Sequence, residues 1–481
     1  MADARQNLDG VRAEAGGVGR RKGFGIGWAC RHRTCGRTQD VRCGTSMRVT
    51  YYTDVTVARP SAMSDWSRLW TNQRFTRLWS ARVVSRFGST LGYVVLIWYT
   101  FADTGSALAV VYVGLAEFVP AVAFGLFAGT VVDRYSRRGV IVVSSLGRGA
   151  AMGALVIALY LLGFNLALIV LASVVFAICA TFFGPGAQAL LPEIVAREHL
   201  DRANGLFESS ESIVGIAGSA AAGFAVVALG AVPSLGVDAA AYLVGALFIA
   251  LIGTTTSASK TAAASEKLLD QVREGLAYLR HTLGLLELTI VALVSNFLWS
   301  IVMTFLVVYT SQTLHGSAIV YGGIEAALAA GWGVGGLAVG RFRLTRFTGR
   351  IWALTGLTDG FAILVLILLP LIPVALPLFL AFGVWQGILN VSWLSSVQVL
   401  VPARLQGRYL ATDSAISYAA IPASQVLGGI LIVTSGLSFT FLLAAVGSLA
   451  TGVGYLFLRP LWKFGYDPRT SAKVETLDTV P

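Results

Sequence analysis

The feature that most limits what this chain can become is a series of long apolar runs, separated by short polar loops from residue 77 onward. A helix crossing the hydrocarbon core of a bilayer needs about 20 apolar residues, and a backbone surrounded by lipid has to satisfy its own N–H and C=O groups. The runs predict spans over 77–101, 108–132, 140–162, 167–187, 205–229 and 235–254, then 285–310, 318–340, 350–370, 374–395, 411–433 and 436–458. A charged stretch, 255–283, divides them six and six. The chain therefore reads as an all-α membrane protein with twelve transmembrane helices in two six-helix bundles, 63–254 and 284–460, followed by a tail over 461–481. Composition agrees: mean hydropathy is +0.72 and 13% of residues are charged, against roughly a quarter in soluble domains. A water-soluble globular enzyme is excluded.

The loops predict an orientation. Those after the first, third, fifth, seventh, ninth and eleventh spans contain no Lys or Arg. The alternate loops carry Arg134, Arg137 and Arg138, then Arg197 and Arg202, then Lys260, Lys267, Arg273 and Arg280, then Arg341, Arg343, Arg346 and Arg350, then Arg404 and Arg408. Because basic residues stay on the cytoplasmic side, both termini and the central loop are expected in the cytoplasm of a multi-pass plasma-membrane protein. Three arginines inside spans are the exceptions.

Of the net charge of +11, the first 62 residues supply more than half, with 11 basic and 5 acidic side chains. The charge thus marks no nucleic-acid surface. The same segment has no apolar stretch of signal-peptide length. Cys30, His32, Cys35 and Cys43 lack the paired CxxC spacing of a zinc site, so no metal is expected. A disordered basic tail and a start placed upstream of the true one at Met63 both remain open.

The most specific segment is GTVVDRYSRRG, Gly129 to Gly139, between the second and third spans. Gly129, Asp133, Arg134, Arg137 and Arg138 resemble the loop signature of the major facilitator superfamily, with Ser136 where the usual pattern has a second glycine. The segments NQRFTRLW, TGSALA, ALLPEIV, RANGL and VDAAAYL are similar to the twelve-helix drug- and siderophore-export branch, which includes macrolide efflux and enterobactin exporters. The resemblance covers most of residues 72–458. It implies a secondary transporter working by alternating access, in which Asp133 meets the eleventh span and locks one side shut. The trailing arginines either pair with acids or head groups or only fix topology. A weaker internal echo, QALLPEIVAREHL before the fifth span and VQVLVPARLQGRYL before the eleventh, fits a duplicated six-span unit.

Charges within spans cost several kcal/mol and are candidate functional groups. Arg82 and Arg86 share one face of the first span, with Arg86 about 14 Å along it at 1.5 Å per residue. Glu117 falls near the middle of the second span. Burial penalises the charged form of a carboxylate, so Glu117 is the leading candidate to carry a proton, paired with an arginine of the first span. A static ion pair between helices is the competing reading. Glu208 and Glu211 are expected in a cytoplasmic network. Asp238 sits near the outer end of the sixth span, Asp413 near the inner end of the eleventh, and Glu325 and Asp359 deeper.

For substrate contact, Gln386, Asn390 and Trp393 form a polar and aromatic stripe on the tenth span, and Asn296, Trp299, Ser300 and Thr304 a second on the seventh. The resemblance places both spans around the central cavity. Aromatic faces with few fixed charges suit bulky amphiphiles, although helix packing explains the same spacing. No GxxxxGK[ST] loop, HExxH pair or cysteine cluster occurs, so no cofactor, ATP site or metal is expected. The chain is read as an exporter of hydrophobic or amphipathic compounds in exchange for protons, acting as a monomer in the lipid bilayer. A metabolite importer, or a siderophore or lipid transporter on the same fold, is the alternative.

Overall fold

The computed structural model describes residues 69–253, 268–342 and 344–465, all within one unit; the expected head over 1–62 lies outside them, as do 255–267 of the central stretch and 466–481 of the tail. No strand occurs among the described residues. The first half has α1 (Gln73–Thr104), α2 (Ala107–Arg134), α3 (Arg137–Leu162), α4 (Leu166–Ile194), α5 (Leu200–Leu229) and α6 (Ala231–Ala250). An amphipathic helix, α7 (Leu268–His281), precedes the second half: α8 (Leu283–Thr304), α9 (Ala318–Phe342), α10 (Thr348–Ala353), α11 (Thr355–Leu368), α12 (Ile372–Leu400), α13 (Ala403–Ser435), α14 (Leu437–Tyr455) and α15 (Arg459–Lys463).

Ten of these are long and apolar enough to cross a membrane, and the bent pair α10–α11 makes an eleventh. The twelfth is α1, 32 residues long, with four arginines in its first half and a buried apolar run from Leu91 to Phe101. The expected twelve spans are therefore present. Corresponding helices of the two halves match in length: α4 and α12 have 29 residues each, α6 has 20 and α14 has 19. The ninth span, read as one run over 350–370, is instead bent by 62° between α10 and α11. The N–H of Gly349 donates to the Phe464 carbonyl at 2.8 Å, tying α10 to the segment after α15, while α11 packs along α14. The two anchorages impose different axes.

Local chemistry sets the helix ends. Asn72 accepts from the N–H groups of Arg74 and Phe75 and donates to the Ile194 carbonyl at 2.7 Å, capping α1 while fastening it to α4. Gly105 closes α1 in a left-handed conformation, φ 59°, where a side chain would be strained. Ser136 is extended and accepts from Gly139 N–H at 3.2 Å. A serine at this position is thus a helix cap.

The cores show how the halves meet. The helix ends bearing Arg134, Arg202 and Arg408, with Arg346 between α9 and α10, lie at one face, called here the basic face. A single apolar core at the opposite face draws on both halves, including Leu91, Val94–Ile97, Phe101, Val110, Val111, Val113, Phe305–Val308, Tyr321 and Phe382. Near the basic face the core divides in two. One cluster contains only first-half residues such as Phe75, Leu190 and Phe207; the other contains only α7 and second-half residues such as Leu285, Val397 and Tyr409. The halves are joined at one end and separate at the other.

Between membrane helices, small residues permit close approach. At the joined end Gly223 of α5 lies against Ala318 and Ile319 of α9, and Gly322 against Ser219 and Gly223. Trp98 of α1 stacks on Tyr321 of α9 with centroids 6.1 Å apart. A side chain at Gly322 has no room beside the Ser219 carbonyl. Gly322→Leu is expected to cost about 1–3 kcal/mol, read as a lower Tm of the detergent-purified protein. An unchanged Tm would show that the halves do not meet there.

Candidate coupling and substrate sites

The predicted arginines of the loop signature are held within the first half. Arg137 donates to the Ala189 carbonyl and to Glu193, both at 2.8 Å, fixing α3 to α4. Arg138 donates to the carbonyls of Ile249 and Ala250 at the C-terminus of α6, where a cation complements the helix dipole. Arg77 reaches the Leu251 carbonyl at the same end. Arg134 is exposed. Asp133 lies in the last turn of α2 and Gly129 one turn before it; their side-chain surroundings lie outside the described residues.

Arg82 and Arg86 part company. Arg82 forms an ion pair with Glu211 of α5 at 2.6 Å and lies 4.3 Å above the Phe207 ring. Arg86 is exposed and lies across α5 at Gly215. It lines a cavity of about 230 Å³ enclosed by first-half helices, with Glu117, Tyr93, Ser173 and Asp238. Glu117 is half-buried in that wall. No ion pair joins it to either arginine among the described residues, so the expected pairing with α1 is absent in this conformation. Arg82 is instead committed to scaffolding.

The second half divides in a similar way. Asn296 of α8 donates to the Ser417 carbonyl of α13 at 2.9 Å. Trp299 is 8% exposed and stacks on Phe382 with centroids 3.6 Å apart. Both pack helix against helix here. Gln386, Asn390 and Trp393 remain half-buried along α12, and the first two make no hydrogen bond to another described residue. Asp413 is held by Thr289 and Tyr409 at the α8–α13 crossing.

Sequence reasoning passed over Arg148. It stands in α3, 5% exposed, with its guanidinium 4.3 Å from the Phe183 ring and 4.5 Å from the Tyr242 ring. The available signal was an arginine deep in the apolar run that follows Val140. Asp238, placed by sequence near the outer end of its span, is 2% exposed and within electrostatic reach of Arg148. Together these residues put two cations and two carboxylates in and behind one chamber of the first half.

Twelve helices in two matched halves, parted at one face and carrying charge inside, are the plan of a secondary transporter. The sequence pattern of the transmembrane secretion effector family matches residues 63–474, and the chain belongs to that family of the major facilitator superfamily. It is 29% identical over 405 residues to the multidrug efflux pump Tap of Mycobacterium tuberculosis, covering 81% of this chain and 94% of that pump. It is 24% identical over 271 residues to macrolide efflux protein A of Streptococcus pyogenes, covering 56% and 66%. Among solved structures it resembles the nucleoside transporter NupG (TM-score 0.66, 12% identity, 80% of this chain and 100% of that one). It also resembles a bacterial homologue of the human lysosomal transporter Spinster in an inward-facing conformation (TM-score 0.60, 14% identity, 82% and 99%). The fold and the relatives are those of transporters, not enzymes.

The Arg82–Glu211 pair gives a direct test of the scaffold role. Arg82→Leu and Glu211→Leu should each lower the Tm, and the double variant should recover much of the loss. Non-additivity of about 0.5–3 kcal/mol is expected for coupled neighbours. Additive losses would remove the pair from the scaffold.

Proposed function

We propose that this transporter exports hydrophobic or amphipathic small molecules across the plasma membrane by proton antiport with alternating access. The observation that carries the reading is the division of the core, which joins the halves at one face and leaves them separate at the basic face. By the positive-inside rule the basic face, with both termini, is cytoplasmic. The conformation is then the inward-facing one, in which a substrate enters from the cytoplasm or inner leaflet. The multidrug and macrolide pumps among the relatives support export and the substrate class. Gln386, Asn390 and Trp393 offer unsatisfied polar groups and an aromatic face for a bulky amphiphile.

The coupling group in this reading is Glu117, a carboxylate in the wall of the first-half cavity with no ion-pair partner. The gate is the end of α2: when the halves close at the basic face, Asp133 meets the end of α13 and holds the outward-facing state. Arg137 and Arg138 act as braces that keep α3, α4 and α6 rigid beneath that gate.

Bacteria stripped of their own efflux pumps and expressing the chain should accumulate less of a fluorescent amphiphile than controls, and an uncoupler should erase the difference. Glu117→Gln should remove the uncoupler-sensitive part, and Asp133→Asn should slow export several-fold with normal insertion. Higher accumulation than in controls would establish an importer and overturn the reading. Export unaffected by the uncoupler would remove proton coupling.

A further inference from the structure

The first-half chamber holds more than the coupling carboxylate already assigned to it. Asp238 projects from α6 into its wall and is 2% exposed. The facing helix α1 has glycine at positions 88 and 92, and any side chain at Gly92 would occupy the space of the Asp238 carboxyl group. The Oδ1 atom of Asp238 has no hydrogen-bond partner, and neither has Oγ of Ser173, 1% exposed in the same wall. A buried carboxylate with one oxygen left without a partner is costly when ionised.

The natural partner is close by and also uncommitted. Arg148 lies within electrostatic reach of Asp238, yet no ion pair joins them. Its guanidinium is held between the faces of Phe183 and Tyr242, donates to Ser145 Oγ at 3.3 Å, and leaves Nε without a partner. A cation between two rings is stabilised without a counter-ion, so Arg148 can stay charged while Asp238 is neutral. When Asp238 is ionised, the same Nε–H is free to donate to Oδ1.

We propose that Asp238 is a second proton-carrying carboxylate of this chamber and that Arg148 is its positioning residue, pairing with it only in the deprotonated state. The inference rests on the proton-antiport reading above. On release, the carboxylic acid of Asp238 gives its proton to water in the chamber, and the carboxylate that remains is met by Arg148. A volume of about 230 Å³ has room for several waters, at about 30 Å³ each in the liquid. The groups around Asp238 are Arg86 and Tyr93 from α1 and Glu117 from α2 in the same chamber, Arg148 from α3 and Tyr242 from its own helix, with Cys179 of α4 beside Arg148. With both carboxylates ionised, the two arginines balance them. One bound proton leaves a net positive charge, so the two carboxylates load and unload in turn.

The test uses purified full-length protein in weakly buffered detergent solution and records protons released when a fluorescent cationic amphiphile is added. Drug–drug exchange in proteoliposomes is the control for folding and substrate binding. Asp238→Asn, which has the shape and charge of the protonated acid, should cut proton release by half or more while exchange persists. The Asp238→Asn/Arg148→Gln double variant, which leaves no unbalanced buried cation, should show the same loss of release with stability nearer the parent. Release of undiminished size from an exchange-competent Asp238→Asn or double variant would overturn the inference and leave proton antiport standing. Absence of release from the parent protein, with exchange intact, would instead remove the antiport reading itself.

Discussion

Where lipid surrounds this chain there is no water to satisfy a polar group, and much of the structure follows from that. Lipid forces the backbone into helices, and it also removes the usual reason for apolar helices to associate, since tails are as apolar as leucine. Helices then hold together where backbones approach closely or where a polar bond is made. In this protein such places are unevenly distributed. The two halves touch through Gly223, Gly322 and the Trp98–Tyr321 stack at one end only. Toward the other end each half closes on itself, with Arg138, Arg77 and Asn72 tying first-half helices to one another. The second half does so with Glu274 of α7 paired to Arg408 of α13. Each half is thus braced on itself near the basic face, and in the proposed alternating access the joined end would be the pivot.

The same absence of water sorts the internal charges into two kinds. Arg82 with Glu211 and Arg137 with Glu193 are complete pairs that cross between helices. Removing one member leaves a half-buried charge without its partner, and the pairs hold helices in register. Arg148, Asp238, Glu117 and Arg86 form no such pair, although they lie in or behind one chamber. A protein gains no stability from leaving them uncommitted. Charged groups without fixed partners are expected where a state must change, and here they sit in a single half, away from the polar stripe of α12; Arg148 and Asp238 are the buried two.

Much of the fold was legible because membrane helices are written in long, coarse signals. Run length gave twelve spans, and the absence of Lys and Arg from alternate loops gave a consistent topology. What the sequence hid was three-dimensional. The bend at Leu354 has no proline to announce it; it arises because Gly349 is tied to Phe464, a residue more than a hundred positions away. The stripe on α8 has the spacing of a cavity wall, yet Asn296 and Trp299 spend their groups on Ser417 and Phe382, since periodicity gives a face and not its neighbour. Arg82 and Arg86, alike in sequence, differ because one meets Glu211 and the other meets Gly215. Arg148 was overlooked because a lone arginine has no motif, and its significance depends on rings from two other helices.

The position of the chamber gives a route from charge to movement. Asp238 rests on α1 at Gly88 and Gly92, with no side chain between carboxyl group and backbone. Six residues further along, about 9 Å at 1.5 Å per residue, the same helix carries Trp98, which stacks on Tyr321 of the other half. On its other side α1 meets Gly218 of α5, and α5 in turn holds α9 through Gly223. In the proposed mechanism a change in charge at Asp238 would alter what α6 demands of α1, and α1 touches the joint through Trp98. Coupling by this route would need no contact between proton and drug: the first half would sense the proton, the joint would transmit its effect, and the cleft between the halves would bind the cargo. An exporter working by that proposal would accept varied substrates, because the coupling chemistry would be kept out of the wall that recognises them.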